Sequence, residues 1–335
     1  MKTGERTRHK PRRPTSRRGL SERSPLLGGD SAGHEPRGYD PRAGELDMPV
    51  ATEPRPSADV DARQLRELIP PAETGRQLDD WGRSQRVFDL VEPLLDFYYR
   101  VWFRVDAEGV ENVPSEGGAL LTSNHSGALP PDAPMIMQAI RREHSHPRPL
   151  YMLGEHWFKG YPGVSALTAK IGLVAAHPAN AQRLLADEER LALVFPEGVK
   201  ATRKLYWQRY KLRRFGRGGF VRTAIRAQVP IVPVAVVGAE EAMPIFAHVP
   251  LLKQLTGLPY FPVNHAFPHL GLAAAVMYLP AKFRIEFLEP IDVSDLGPED
   301  ADDPALVQSL ADDVRGRIQA RLQDMLQRRS SVWFG

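Results

Sequence analysis

Leu120–Asp132 reads LLTSNHSGALPPD, and how these thirteen residues are read decides the fold. The apolar run Ala119–Thr122 carries no charge and breaks directly into Asn-His-Ser-Gly. Pro130-Pro131-Asp132 then opens the helical pattern Ala133–Arg142. A short, continuous apolar run is how a strand covered on both faces looks. A strand that ends in a polar turn and feeds a helix is the repeating unit of an α/β domain. His125 thus falls just past a strand C-terminus, the place where open α/β sheets bind ligands.

Outward from this stretch the same alternation repeats. Further strands are expected at Leu150–Leu153, Gly172–Ala175, Leu191–Phe195, Ile231–Val237 and Phe283–Leu288, with helices at Asn180–Glu188 and Gly219–Ala227. This predicts an α/β domain with a mostly parallel central sheet flanked by helices. A last helix, Asp303–Arg328, repeats apolar residues at 306, 310, 314, 318, 322 and 325/326, and ends in Val332, Trp333 and Phe334. That tail can anchor on lipid or pack onto the domain. Upstream, Val87–Phe103 reads VFDLVEPLLDFYYRVWF, with twelve of seventeen residues apolar or aromatic. Asp89, Glu92, Pro93, Asp96 and Arg100 interrupt it and argue against a membrane span. It reads either as a helix buried in the fold or as one lying in a membrane interface.

Composition sets the outer bounds. The chain has 335 residues, 42% hydrophobic and 25% charged, and no cysteine. The missing thiols remove disulfides, thiolate metal sites and cysteine nucleophiles. No run of eighteen apolar residues is present, and no secretory h-region opens the chain, so a cytoplasmic address is expected. Residues 1–23 hold nine Lys/Arg against Glu5 and Glu22, a local +7; with the whole chain at +3, the remainder sits at −4. Residues 1–75 are rich in Pro, Arg, Ser and Gly and poor in aromatics, so they are read as a disordered basic arm. Residues 76–335 form the folded domain, from the aromatic helix to the C-terminal amphipathic one.

Standard signatures are missing: no GxSxG elbow, P-loop, GxGxxG or HExxH occurs. His144, His146 and His156 lie among arginines without a carboxylate cluster and read as a solvated loop, so no metal site is expected. Attention returns to His125 and Asp132. Seven residues span about 23–25 Å when extended, so the two meet only if the loop folds back. Gly127 and Pro130-Pro131 permit that turn. Asp132 either fixes the tautomer of His125 or caps the helix starting at Ala133.

Two more stretches matter. Leu193-Val194-Phe195-Pro196-Glu197-Gly198 is a strand ending in a tight polar turn, and Val229–Val234 (VPIVPV) is a buried strand preceded by proline. The ordered set Asn124-His125…Asp132, FPEG and VPIVPV resembles the glycerolipid acyltransferase superfamily, the lysophosphatidate and glycerol-3-phosphate (PlsC-like) acyltransferases, over roughly residues 85–295. Six residues stand between His125 and Asp132 where that family usually has four. The wider gap is similar to the subgroup related to monoacylglycerol acyltransferases. Gly172 would align Ala175 and Pro178 with the family's Phe and acceptor-binding Arg, so that arginine is absent there. Val199 and Lys200 stand where the family often has Thr-Arg.

The resemblance implies transfer of an acyl group from acyl-CoA or acyl carrier protein to a hydroxyl of a glycerolipid such as 1-acylglycerol-3-phosphate. His125 is then the general base and Asp132 its orienter. Imidazole suits that task, because its ordinary pKa lies near neutrality. By the same resemblance Phe195, Pro196, Glu197 and Gly198 shape the acceptor pocket, and Lys200 and Arg203 are candidate anion contacts. No metal or resident cofactor is implied. From Lys200 to Arg226, ten cations occur in 27 residues, interleaved with Tyr206, Trp207, Tyr210 and Phe215. This run reads as a solvated face, as a contact for CoA phosphates, headgroups or an anionic membrane, or as a single-stranded nucleic-acid binder. A non-catalytic membrane- or nucleic-acid-binding protein is therefore the alternative. The ordered motifs favour a peripheral enzyme on the cytoplasmic membrane face, with no nucleic-acid partner.

Overall fold

The computed structural model describes residues 78–127, 130–154, 162–249, 251, 262–271 and 277–335. The basic arm 1–75 and His156 lie outside the described residues. The chain is organised as a seven-stranded sheet with helices on both faces. Its strands are β1 (Asp106–Glu108), β2 (Ala119–Ser123), β3 (Leu150–Gly154), β4 (Leu173–Ala175), β5 (Leu191–Val194), β6 (Ile231–Val237) and β9 (Arg284–Phe287). A separate two-stranded ribbon pairs β7 (Ala247–His248) with β8 (Pro262–Val263).

Across the main sheet the order is β1-β9-β6-β2-β5-β3-β4. Strands β6, β2, β5, β3 and β4 run parallel, as the apolar runs imply. β9 pairs antiparallel with β6, and β1 follows β9, so one edge of the sheet is reversed. β2 is central and fully buried, with Leu121 opposite Leu193 on β5 and Val232 on β6. The parallel strands place the ends of β2, β5 and β6 on the same edge. The chain order also changes direction there: β5 lies on one side of β2 and β6 on the other. Such a switch point opens a crevice.

Two apolar layers hold the sheet. On one face Leu121, Leu193, Val232, Val234 and Val236 pack with Met135, Ile136 and Ile140 of α2 (Asp132–Glu143), and with Phe88 and Phe103 from α1 (Gln85–Phe97) and its continuation. On the other, Leu120, Ala192, Ile231, Ala235 and Val237 pack with α6 (Gly219–Ala227) and α8 (Pro304–Arg328). Alternate residues of β2 and β6 thus face opposite layers, as the two-residue strand period requires. Shorter helices α3 (Pro162–Lys170), α4 (Pro178–Gln182), α5 (Val199–Thr202) and α7 (Ala239–Ala242) fill the connections. Pro178, the position aligned with the missing acceptor arginine, simply opens α4 behind His177.

Three readings change. In α8 the buried stripe is Val307, Ala311, Val314, Ile318, Leu322 and Met325, so its front half runs one residue later than 306 and 310. Gly218 explains the shift: a Cβ there would lie 2.5 Å from Val307 Cγ1, so the bare glycine lets Val307 seat against the sheet. His144 is buried rather than solvated; Nε2 contacts the Val113 carbonyl at 2.8 Å and Nδ1 the His146 carbonyl at 2.8 Å. The aromatic helix is neither wholly buried nor wholly bare. Phe88 and Tyr99 face the core, whereas Leu90, Leu94, Phe97 and Val101 are exposed at helical spacing. Ser84 Oγ caps α1 by accepting from Val87 N–H, and a π-helical turn, Tyr98–Trp102, follows it. Arg104 joins this end to the C-terminus by donating to the carbonyls of Trp102 and Trp333, each at 2.5 Å. Among the described residues, no helix is long and apolar enough to cross a membrane.

Candidate active site

The turn after β2 is tied down before any chemistry is considered. Asn124, 1% exposed, holds β6 with both ends of its amide: Nδ2 donates to the Val236 carbonyl at 3.0 Å, and Oδ1 accepts from Val236 N–H at 2.8 Å. The side chain stands in for one more strand residue. Gly127 lets the loop pass close to its neighbours, since a Cβ would lie 2.6 Å from Ile245 Cδ1. The loop folds back, and His125 meets Asp132 with Nδ1 and Oδ2 3.0 Å apart.

Asp132 orients His125, but it does not cap a helix from Ala133: it is itself the first residue of α2, behind Pro131. Oδ2 also accepts from Ser126 N–H at 2.8 Å, and Oδ1 accepts from Ala133 N–H, in the first turn of α2, at 2.8 Å. The carboxylate is completely buried. Burial pushes its pKa up, but the His125 ring and the two backbone donors outweigh burial and hold the carboxyl below its usual range. An ionised Asp132 only accepts hydrogen bonds, so Nδ1 of a neutral His125 must carry the proton. Nε2 is then the bare nitrogen, free to take a proton from a bound hydroxyl. The ring is 14% exposed at its side chain, which leaves it reachable from one side.

The turn after β5 packs against this pair. Phe195 stacks on the imidazole, centroids 3.9 Å apart and planes at 16°, so it holds the ring in place besides lining the site. Gly198 N–H closes the turn on the Phe195 carbonyl at 2.9 Å; Gly198 itself has φ +58° and ψ −156°, a conformation that demands glycine. Glu197 is buried at the centre. Its Oε1 accepts from His125 N–H at 3.4 Å and its Oε2 from Arg213 N–H at 2.6 Å. Glu197 therefore acts on the placement of His125. Pro196 lies beside it at the partly exposed bend.

The basic run divides. Lys200 and Arg203 are exposed, and among the described residues they make no ion pair. Lys204 is buried, 2.6 Å from Glu240 Oε1 and 3.6 Å from Glu197 Oε1, so it is neither a solvated cation nor an anion contact. Burial pushes Glu240 up to about 7, with the Lys204 ammonium offsetting only part of the rise. Beyond it, Tyr210 OH accepts from Gly238 N–H at 2.8 Å and donates to Glu241, which pairs with Arg329 at 2.9 Å. Asn124, Lys204 and Glu240 escaped the sequence reading. Asn124 sits inside the quoted motif, but a charge run shows nothing of a partner 36 residues downstream.

Tyr278 connects this centre to the aromatic edge. Its ring packs edge-on against Tyr98 at 5.5 Å and Phe103 at 5.7 Å. Burial first, then the neighbouring Tyr98 and Asp132, raise its phenol pKa well above normal, so it stays a protonated hydroxyl.

The acyltransferase family model matches residues 104–237. An uncharacterised protein of Mycobacterium tuberculosis is 44% identical over 246 residues, covering 73% of this chain and 68% of that one. A Gallus gallus protein described as a DGAT1/2-independent enzyme synthesizing storage lipids is 24% identical, over 77% of this chain and 69% of that one. Among solved structures, the 1-acyl-sn-glycerophosphate acyltransferase PlsC of Thermotoga maritima has a TM-score of 0.47 at 18% identity, over 73% of this chain and 83% of that one.

Proposed function

The chain belongs to the acyltransferase family, and from that premise we propose that it moves a fatty acyl group from acyl-CoA or acyl carrier protein to a hydroxyl of a glycerolipid, with His125 as general base and Asp132 as its orienter. The single observation that supports this most is the 3.0 Å contact between His125 Nδ1 and a fully buried carboxylate, at the end of the central strand.

The step balances without any further reagent. His125 Nε2 takes the acceptor's hydroxyl proton as the oxygen attacks the thioester carbonyl. The carbon–oxygen bond forms, the carbon–sulfur bond breaks, and the imidazolium returns the proton to the departing thiolate. Asp132 stabilises the imidazolium in between, as a buried carboxylate does in other His–Asp pairs. General-base assistance of this kind contributes about 10²–10⁴ in rate. Phe195 and Glu197 keep the ring oriented, so the barrier is not raised by a search for geometry.

Substrates of this class live in membranes. The exposed stripe Leu90, Leu94, Phe97 and Val101, with Trp333 and Phe334 beside it, supports peripheral docking on the cytoplasmic membrane face. Lys200 and Arg203 then supply contacts for phosphate, on the donor or on the lipid surface. The acceptor panel has to contain both 1-acylglycerol-3-phosphate and neutral acylglycerols. Pro178 stands in place of the acceptor-binding arginine, and the Gallus gallus relative is described as a storage-lipid enzyme.

Wild type and His125→Ala are compared by lipid mass spectrometry, with acyl-CoA and with acyl carrier protein as donors. The expected result is product with wild type and a loss of about 10³-fold or more in the variant. Equal product from both would remove His125 from the chemistry.

A further inference from the structure

Lys204 is 2% exposed at its side chain and faces two carboxylates, Glu197 and Glu240, which are themselves buried. Burying three charges is not a way to gain stability, because desolvation offsets most of the attraction between them. Their arrangement nevertheless leads straight to the base. Glu197 spans two segments, accepting from His125 N–H with Oε1 and from Arg213 N–H with Oε2. Lys204 lies against that same Oε1 at 3.6 Å. Glu240 holds the ammonium from the other side at 2.6 Å, and its Oε2 accepts from Tyr210 N–H at 2.7 Å. The turn carrying Glu197 also carries Phe195, whose ring lies 3.9 Å over the imidazole.

Building on the reading of His125 as the base, we infer that Lys204 is a positioning residue for it, acting through Glu197. The ammonium lies against Oε1, the oxygen that accepts from His125 N–H, and so fixes where that carboxylate sits. Without the ammonium, whether or not Glu240 keeps its charge, Oε1 loses the contact that holds it on that side. The Glu197 carboxylate is then free to turn away from His125 N–H and Arg213 N–H. The turn then relaxes and Phe195 slips from the imidazole. The acid that sequence resemblance places against substrate is, on this account, the link between an interior cation and the base.

The test separates this role from plain charge balance. Lys204→Met alone strands Glu240 as a buried carboxylate and destabilises the protein for that reason. In Lys204→Met/Glu240→Gln both charges are gone, and the amide oxygen still accepts from Tyr210 N–H. Four quantities are measured on the full chain: the melting temperature, the His125 Cε1–H resonance (assigned by its loss in His125→Gln), and kcat and KM for acyl transfer. The double variant is expected to regain most of the melting temperature lost by the single one. Its His125 proton should nonetheless shift downfield, having left the shielding face of Phe195. Its kcat should fall about 10–100-fold at nearly unchanged KM, the scale of an ångström of misplacement. A double variant with wild-type resonance and wild-type kcat overturns the inference, because Lys204 then only neutralises Glu240. If the double variant does not fold, Glu197→Gln carries the test: a shifted His125 resonance supports the link and an unmoved one overturns it. Should wild type transfer no acyl group, the reading of the function fails, and the resonance still decides whether Lys204 positions His125.

Discussion

The centre and the edge of this molecule break the ordinary rule of burial in opposite directions. At the ends of β2, β5 and β6, Asp132, Glu197, Lys204, Glu240 and Glu241 are all buried, although charged residues are seldom inside unless paired. Along α1 and the C-terminal tail, Leu90, Leu94, Phe97, Val101, Trp333 and Phe334 are exposed, with Phe334 reaching 85%. A single exposed leucine means little; a stripe at helical spacing next to exposed aromatics does. Each inversion has its own cause. On the proposed function, charge is taken inside around the group that moves a proton, and apolar surface is left outside where a lipid is met. Tyr278 packs on the aromatic side, edge-on against Tyr98 and Phe103.

The comparison can be broken first at the centre. Asp132→Asn retains shape but offers one side-chain acceptor where His125, Ser126 and Ala133 now use two. A loss in kcat of about 10²-fold or more is expected, since the imidazolium loses its counter-charge. Stability should respond to pH with a definite sign. The Asp132 carboxyl sits below its usual range in the folded protein, so its contribution is complete above about pH 5 and disappears as pH falls through the folded value. The gap in melting temperature between wild type and Asp132→Asn should therefore narrow on acidification. A gap that widens would mean the carboxyl is neutral in the fold.

At the edge, replacing Leu90, Leu94 and Phe97 together by Gln should lower co-sedimentation with anionic phospholipid vesicles about tenfold, with the melting temperature hardly changed. Unaltered sedimentation would detach the stripe from lipid. The smallest effect sharpens the contrast between inside and outside. Arg226 belongs to the same basic run as Lys204, yet its pair with Asp302, at 2.6 Å, lies on the surface. Arg226→Ala should cost less than about 1 kcal/mol in denaturant unfolding, as exposed pairs do. A loss of several kcal/mol would show that surface and interior pairs are not as different as their burial suggests.

Much of this was legible in the chain because burial on both faces leaves an uninterrupted apolar run. β2, β3, β5 and β6 announce themselves that way, and the turns that follow β2 and β5 carry His125 and Glu197. β1 could not be found so easily: Asp106-Ala107-Glu108 is a polar edge strand with no run to see. The reversal of β9 was hidden too, since an antiparallel neighbour has the same composition as a parallel one. By the company they keep in sequence, His144 reads as solvated and Lys204 as part of a run that is either solvated or in contact with anions. Their actual partners are the Val113 carbonyl and the Glu240 carboxylate, which only the folded chain brings near. Local pattern identifies an element. It does not reveal a pairing made across it.

The amide of Asn124 has a consequence in time as well as in space. By satisfying both Val236 N–H and its carbonyl, it adds one more rung to the ladder between β2 and β6. Opening the turn that bears His125 therefore means opening the middle of the sheet, an event with nearly the free energy of global unfolding. The Val236 amide hydrogen should exchange with solvent as slowly as those of the strand core, and His125 is then held in register for as long as the sheet itself survives.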